Sequence, residues 1–199
     1  MKLLFDSDAF CKLGIGSLLE DTAQIFDATL PECGRLYALS FMLRRGSLRK
    51  LYGIPACDEL IPAANTISII QDPSVAWLDK LTAIEAIDPG EAQIFAVAAE
   101  QRVPFLSGDK RALRAVKGIP DYVTALDNRV VVMEAALLAL CDKIGHEEVR
   151  SRMTPLVAID RMIAVCFSSG NPDPSTALMS YYQAIKNEVA PLILWNPRG

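Results

Sequence analysis

The stretch Lys2-Leu3-Leu4-Phe5-Asp6-Ser7-Asp8 is an apolar run that stops at acidic residues. A short apolar run of this kind predicts a buried strand with a polar tip. A second stretch, Val103-Pro104-Phe105-Leu106-Ser107-Gly108-Asp109, is again apolar and again ends in an aspartate. In open α/β sheets the chemistry gathers outside the carboxyl ends of the strands. The two stretches together therefore predict one sheet edge that carries carboxylates.

Strand and helix signals alternate on either side of these two stretches. The sequence predicts helices over residues 8–26, 32–45, 91–101, 110–116 and 134–144. The last of these follows a β-branched strand over 129–133, and residues 66–70 read as either a strand or a helix start. Such alternation indicates an α/β protein whose central, mainly parallel sheet is covered by helices on its faces.

The character of the chain changes after residue 145. Two helical regions, 149–167 and 176–189, are separated by a turn rich in proline, glycine and serine over 168–175. We expect a first domain over 1–144 and a C-terminal helical extension over 145–199 that packs on it. The 199-residue length suits one sizeable core with such an appendage.

Composition excludes several classes of protein. The net charge of −4 provides no global positive field for nucleic acid or anionic membranes, although a local basic rim could still bind RNA. The five cysteines are widely spaced, which predicts buried free thiols in a reducing cytoplasm, and one histidine makes a zinc site improbable. The first residues turn acidic too early for a signal peptide, and no apolar stretch is long enough for a membrane span.

Four acids are the candidate site: Asp6, Asp8, Glu91 and Asp109. Carboxylates brought close together repel one another, and a hard divalent cation between them relieves that repulsion. Oxygen ligands without histidine or thiolate favour Mg²⁺ or Mn²⁺ over zinc. Each acid also has a purely structural explanation, because aspartates cap helices and a glutamate in a first turn complements the helix dipole.

The combination resembles the PIN domain, a family of small metal-dependent nucleases. Leu3-Leu4-Phe5-Asp6-Ser7 is similar to the family's first motif, and Gly90-Glu91-Ala92 followed by Phe105-Leu106-Ser107-Gly108-Asp109-Lys110 is similar to its later pair. The resemblance covers residues 1–144. It implies a three-layer α/β/α fold in which Asp6, Glu91 and Asp109 hold Mg²⁺ or Mn²⁺ with support from Ser107, and in which RNA phosphodiesters are hydrolysed. The placement of Glu91 beside the aspartates rests on this resemblance.

One departure from the family pattern concerns a further acid on the helix between the two motifs. Here the helix predicted over 32–45 offers only Glu32, at its start. Three interpretations stay open: Glu32 substitutes as the fourth acid, the site has three ligands, or activity is lost. Asp8, two residues beyond Asp6, could compensate for the missing acid.

Basic residues follow Asp109 on the next helix. Lys110, Arg114 and Lys117 share a face by helical spacing and are the candidate RNA contacts, with a solvated helix face as the alternative. A second basic cluster comprises Arg44, Arg45, Arg49 and Lys50. We expect no aromatic platform beside either cluster, and therefore no base-specific recognition.

Two other functions compete with the nuclease. A haloacid-dehalogenase-like phosphatase also begins with Asp-x-Asp and has a late Gly-Asp motif, but Leu113 stands where that family expects an acid. A PIN-like fold could also act as a binding or regulatory module without catalysis. The expected partners are RNA, with a homodimer or a protein inhibitor as further possibilities and no membrane. The C-terminal helices are candidates for covering a dimer interface.

Overall fold

A computed structural model describes residues 1–168 and 170–198. Its centre is a five-stranded sheet in which every strand pairing is parallel. The strands are β1 Leu3–Phe5, β2 Cys33–Arg35, β3 Ser68–Ile69, β4 Phe105–Ser107 and β5 Val130–Val132. All but β3 are buried along their length, as expected for strands covered on both faces.

The described residues form thirteen α-helices around this sheet. The first seven are α1 Ser7–Ile15, α2 Leu19–Ile25, α3 Leu39–Arg45, α4 Ser47–Tyr52, α5 Ile54–Thr66, α6 Val75–Thr82 and α7 Pro89–Gln101. The other six are α8 Lys110–Val116, α9 Pro120–Ala125, α10 Met133–Ile144, α11 His146–Met153, α12 Arg161–Phe167 and α13 Pro174–Val189. Short 3₁₀ turns span Leu30–Glu32 and Thr154–Leu156.

Helices cover both faces of the sheet in three layers. On one face α1 packs against α2 and α5, and α2 packs against α10. On the other face α7 packs against α6 and α9. This arrangement confirms the predicted α/β class with helices on both faces of a parallel sheet. None of the helices within the described residues is long and apolar enough to cross a membrane.

The strand order is β3-β2-β1-β4-β5, so the direction of winding reverses beside β1. From β1 the chain proceeds outward to β2 and β3, and it then returns to place β4 on the other side of β1. Open α/β sheets bind ligands at such a switch point, outside the carboxyl ends of the strands. Residues that follow β1 and β4 therefore lie at the edge where a ligand is expected.

The predicted helix over 32–45 is wrong in its first part. Residues Cys33–Arg35 form β2, which pairs with β1 in the register Leu3 to Cys33 and Phe5 to Arg35. Gly34 allows this close approach, because a Cβ there would meet the side chains of Leu4 and Ile70 at less than 3 Å. The predicted helical spacing is present only from Leu39 onward, in α3.

The region after residue 145 shares the core of the first part. Leu178, Tyr182 and Ile185 of α13 belong to the same cluster of buried apolar residues as β1 and β4. The chain then returns to the sheet, where the Asn128 amide donates to the Ile193 carbonyl and the Trp195 amide donates to the Val130 carbonyl. These bonds cover the outer edge of β5. All five cysteines are free and buried, as predicted.

Candidate active site at the strand switch point

A pocket of about 400 Å³ opens at the switch point between β1 and β4. We call it the acidic pocket, after the carboxylates that line it: Asp6, Asp8, Asp88, Glu91 and Asp109. Four of these are the acids that the sequence singled out. Apolar side chains complete the wall: Leu36, Ala38, Met42 and Leu48.

Asp6 follows β1 directly and caps α1. Its Oδ1 accepts a hydrogen bond from the Ser7 amide at 2.6 Å. Burial, followed by the charge of Asp8, raises the pKa of Asp6 from 3.8 to about 7. The neighbouring carboxylates Asp88 and Asp109 act in the same direction. The pocket therefore concentrates negative charge around Asp6 without a compensating cation in contact.

Asp109 caps α8 in the same way after β4. Its Oδ1 accepts hydrogen bonds from the amides of Arg111 and Ala112 at 2.7 and 3.0 Å. The Asp109 amide in turn donates to the Ser107 hydroxyl, so Ser107, which is buried, supports Asp109 from behind. The role that the resemblance implies for Ser107 beside a metal stays a prediction.

Glu91 lies in the first turn of α7, where it forms a capping box with Asp88. The Asp88 amide donates to Glu91 Oε2 at 2.7 Å, and the Glu91 amide donates to Asp88 Oδ1 at 2.8 Å. Burial, together with a hydrogen bond to Asp109, raises the pKa of Glu91 to about 8. Burial alone would raise the pKa of Asp109, but the hydrogen bonds from Glu91 and from the amides lower it. The two shifts therefore favour a protonated Glu91 beside an ionised Asp109.

The position of Glu91 also has a topological cause, which the sequence reasoning overlooked. A helix that connects two parallel strands runs back antiparallel to them, so it begins at their carboxyl edge. Asp88 was overlooked altogether as a pocket residue. The signal for it was the spacing Asp88-x-x-Glu91, which is typical of a capping box at a helix start.

Asp8 already has a partner from the chain at each of its carboxylate oxygens. The Tyr52 hydroxyl donates to Oδ1, and the Lys12 ammonium lies 2.8 Å from Oδ2. Lys12 also lies 2.6 Å from Asp160, which caps α12. Asp8 is thus one end of a charged network that joins α1, α4 and α12.

Glu32 is wrong as a candidate fourth acid. It precedes β2, whereas Asp6 follows β1, and the two strands are parallel and in register. Glu32 therefore lies at the amino edge of the sheet, where it pairs with Lys2 at 2.9 Å. Its carboxylate accepts from the Thr29 amide, and that bond and the Lys2 contact lower its pKa to about 2.

The three predicted RNA contacts on α8 touch the chain's own C-terminal half. Lys110 Nζ lies 3.0 Å from Glu134 Oε1, which is buried at the start of α10. Arg114 forms an ion pair with Glu188, and Lys117 donates to the Glu188 carbonyl. RNA binding by these residues stays a prediction.

Arg111, which the helical-face argument left out, is a basic side chain close to two carboxylates of the acidic pocket. Arg111 Nη2 lies 3.8 Å from Asp109 Oδ2 and 3.9 Å from Glu91 Oε2, and its side chain is 61% exposed.

The donor chemistry of the acidic pocket fits a hard divalent cation, since all its charged groups are carboxylates. Ser7 Oγ adds a second observation, because it is buried at the pocket and has no hydrogen-bond partner. The carboxylates are, however, turned toward amides of the chain itself. Across residues 1–168 and 170–198, no three acidic, histidine or cysteine side chains form a ready-made ligand set. Binding of one cation by three of these carboxylates would require their side chains to rearrange.

Comparison of the chain with models of protein families, with curated proteins and with solved structures found no match.

Proposed function

We propose that the acidic pocket binds Mg²⁺ or Mn²⁺ and hydrolyses phosphodiester bonds of RNA. The observation that carries this proposal is the convergence of five carboxylates at the switch point of a parallel sheet, with the partnerless Ser7 hydroxyl among them. A cluster of mutually repelling acids with raised pKa values is costly to maintain, and such clusters mark functional sites more often than structural ones.

Asp6, Glu91 and Asp109 are the residues that would hold the cation, and Asp8 lines the same pocket. The bound ion would supply a Lewis acid and an activated water for attack on phosphorus. Asp88 takes the place of Glu32 as the fourth acid, because it lines the acidic pocket beside Glu91. Arg111, next to Asp109, would provide a positive charge that offsets the repulsion between an incoming phosphate and the carboxylates.

The decisive experiment is a nuclease assay on a labelled single-stranded RNA with Mn²⁺, using the wild type and the variants Asp6→Asn and Asp109→Asn. We expect each variant to lose at least about 100-fold in cleavage rate, since each removes a carboxylate central to the cluster. Asp127→Asn, an exposed acid far from the acidic pocket in the sequence and the sheet, should cleave like the wild type. Equal residual activity in all four proteins would assign the cleavage to a contaminant.

A non-catalytic binding module is the second candidate function. It is favoured by α3 and the turn before it, which supply only the apolar side chains Met42 and Ala38 to the acidic pocket, where the PIN resemblance implies an acid. A protein that binds RNA but shows no cleavage with Mg²⁺ or Mn²⁺ would support it. The phosphatase alternative has no support at position 113, because Leu113 is fully buried. Hydrolysis of small phosphate monoesters, without cleavage of RNA, would instead support the phosphatase.

A further inference from the structure

A second concavity, of about 340 Å³, lies beside the acidic pocket. We call it the aromatic-basic cleft. Its lining residues are Tyr37, Ser40, Phe41, Arg44, Arg45 and Ile69. The expectation that no aromatic platform accompanies this basic cluster is therefore wrong, because Tyr37 and Phe41 line the same cleft as Arg44 and Arg45.

The two aromatic side chains of the cleft are unusually open to solvent. Tyr37 is 76% exposed and Phe41 is 62% exposed. Tyr37 lies in the turn that precedes α3 and Phe41 lies in the first turn of α3, and both line the same concavity. Large exposed apolar side chains that cluster in a concavity mark a binding surface more often than isolated ones do.

The charge of the cleft is uncompensated by the chain. Among the residues that the structure describes, no acid lines it, and the sequence of α3, Leu39–Arg45, contains none. In the described ranges, Arg44 and Arg45 form neither an ion pair nor a side-chain hydrogen bond. Arg49, by contrast, is paired with Asp58 at 2.6 Å. An occupant of the cleft should therefore bring both negative charge and flat apolar faces.

The aromatic-basic cleft and the acidic pocket share one helix and one sheet edge. The turn before α3 and α3 itself give Ala38 and Met42 to the acidic pocket, and Tyr37 and Phe41 to the cleft. Strand register aligns Phe5, Arg35 and Ile69 in a row across the sheet. Ile69 is two strand spacings from β1, roughly 10 Å, so one extended ligand could reach both sites.

We propose that the aromatic-basic cleft binds unpaired nucleotides of a single RNA strand, whose bases stack on Tyr37 and Phe41 and whose phosphates contact Arg44 and Arg45. Stacking on aromatic rings next to a positive groove is how proteins hold single strands. A duplex keeps its base faces stacked inside the helix and cannot use this surface. The inference deepens the proposed function, since the same strand would continue into the acidic pocket.

The test is fluorescence anisotropy of a short labelled oligouridylate with the full chain in EDTA, where cleavage cannot occur. We expect Phe41→Ala and Tyr37→Ala to weaken binding by roughly 10-fold each. Phe41→Leu should weaken it equally, because leucine keeps an apolar surface but has no flat face, whereas Phe41→Trp should bind at least as tightly as the wild type. The duplex formed with oligoadenylate should bind more weakly than the single strand.

The arginines are tested by the salt dependence of the same binding. Arg44→Ala should reduce the slope of log K against log salt by about 0.7, the value for one phosphate contact on a single strand. Lys186→Ala, an exposed cation on α13, is the charge-matched control and should leave the slope unchanged. All substituted side chains are on the surface, and circular dichroism verifies that the variants are folded.

Several outcomes would overturn the inference. These are no binding of the oligonucleotide, equal affinity of the wild type and Phe41→Ala, or full affinity of Phe41→Leu. A wild-type dimer in sedimentation that Phe41→Ala converts to a monomer would instead identify a second copy of the chain as the occupant. The proposed nuclease activity is tested separately. If the variants bind the oligonucleotide as expected but the wild type does not cleave RNA with Mn²⁺, catalysis is rejected and the binding inference stands.

Discussion

At the scale of single residues, Asp6 is an acid of the pocket whose ionised form is opposed both by burial and by its acidic neighbours. It is largely buried at the end of a fully buried strand, and the charges of Asp8, Asp88 and Asp109 all disfavour its ionisation. The Ser7 amide is the contact that favours the charged form. The ionised pocket is therefore a destabilising feature of the metal-free protein.

This leads to a prediction about pH. The folded protein holds a proton on Asp6 up to about pH 7, whereas the unfolded chain releases it near 3.8. The stability that this difference provides is fully present below 3.8 and is lost as the pH rises through about 7. Since one pKa unit corresponds to about 1.4 kcal/mol, the loss is at most roughly 4 kcal/mol. Urea unfolding in EDTA between about pH 5 and pH 8 should therefore show declining stability.

The variant Asp6→Asn cannot ionise, so its stability should decline less over the same range and exceed that of the wild type at the alkaline end. Asp127→Asn is the matched control, because it removes an exposed acid that precedes β5 and so lies toward the amino edge of the sheet. A wild type and an Asp6→Asn variant with parallel pH profiles would contradict the argument.

At the scale of helices and strands, β1 and β4 were readable because each belongs to a short uncharged run that ends at polar residues, and β5 was readable because it is β-branched. β2 was not readable, because Cys33-Gly34-Arg35 carries a glycine and a charge and has no β-branched residue. Its strand conformation is imposed by its neighbours. Arg35, buried on that strand, donates to the carbonyls of Ala64 and Leu36, contacts that no local pattern reveals.

The same difference decides which residues of the candidate site could be predicted from the sequence. Asp6 and Asp109 follow readable strands, so their meeting at one edge could be predicted. Glu32 was misplaced because the strand after it was missed, which reversed the end of the sheet at which it lies. The aromatic-basic cleft was missed although five of its six lining residues lie within 37–45, because nothing in the sequence indicated that Tyr37 and Phe41 are exposed; only Ile69 is brought there by the pairing of β2 and β3.

The link between α8 and α10 gives a prediction at this scale. Glu134 is 3% exposed and Lys110 is its ion-pair partner. Lys110→Met should leave the buried carboxylate unpaired and destabilise the protein by about 2 kcal/mol, a value reduced from that of a fully buried pair because Lys110 is partly exposed. Chemical denaturation measures the loss.

The double variant Lys110→Met with Glu134→Gln should recover part of that stability, because the glutamine carries no charge to desolvate. If Lys110→Met is as stable as the wild type, Lys110 is free for another role, and the RNA contact proposed for it from the sequence gains weight.

At the scale of the whole molecule, the first 144 residues and the remainder share one core. The side chains of α13 pack on α10, and Asp160 reaches Lys12, which in turn holds Asp8 of the acidic pocket. The Phe26 and Trp195 rings also pack together, with centroids 5.0 Å apart. The C-terminal region therefore contributes to the apolar core and to the sheet edge, and it contacts Lys12, the partner of Asp8.

A fragment of residues 1–144 should consequently fail to fold cooperatively, since it would expose the apolar face of α10 that α13 covers. The full chain should unfold in one transition when followed by calorimetry and by circular dichroism. A fragment that unfolds cooperatively with native-like near-ultraviolet dichroism would instead establish residues 1–144 as an independent domain.

The hydrogen bonds between residues 128–130 and residues 193–195 have a consequence for the order of events during synthesis. The outer edge of β5 is covered by residues 193–195, which are translated more than sixty residues after β5 itself. Until those residues emerge from the ribosome, the nascent sheet has an open edge of the kind that recruits other strands. The sheet is therefore completed only after residues 193–195 have emerged, and the interval before then is when the chain most needs a chaperone.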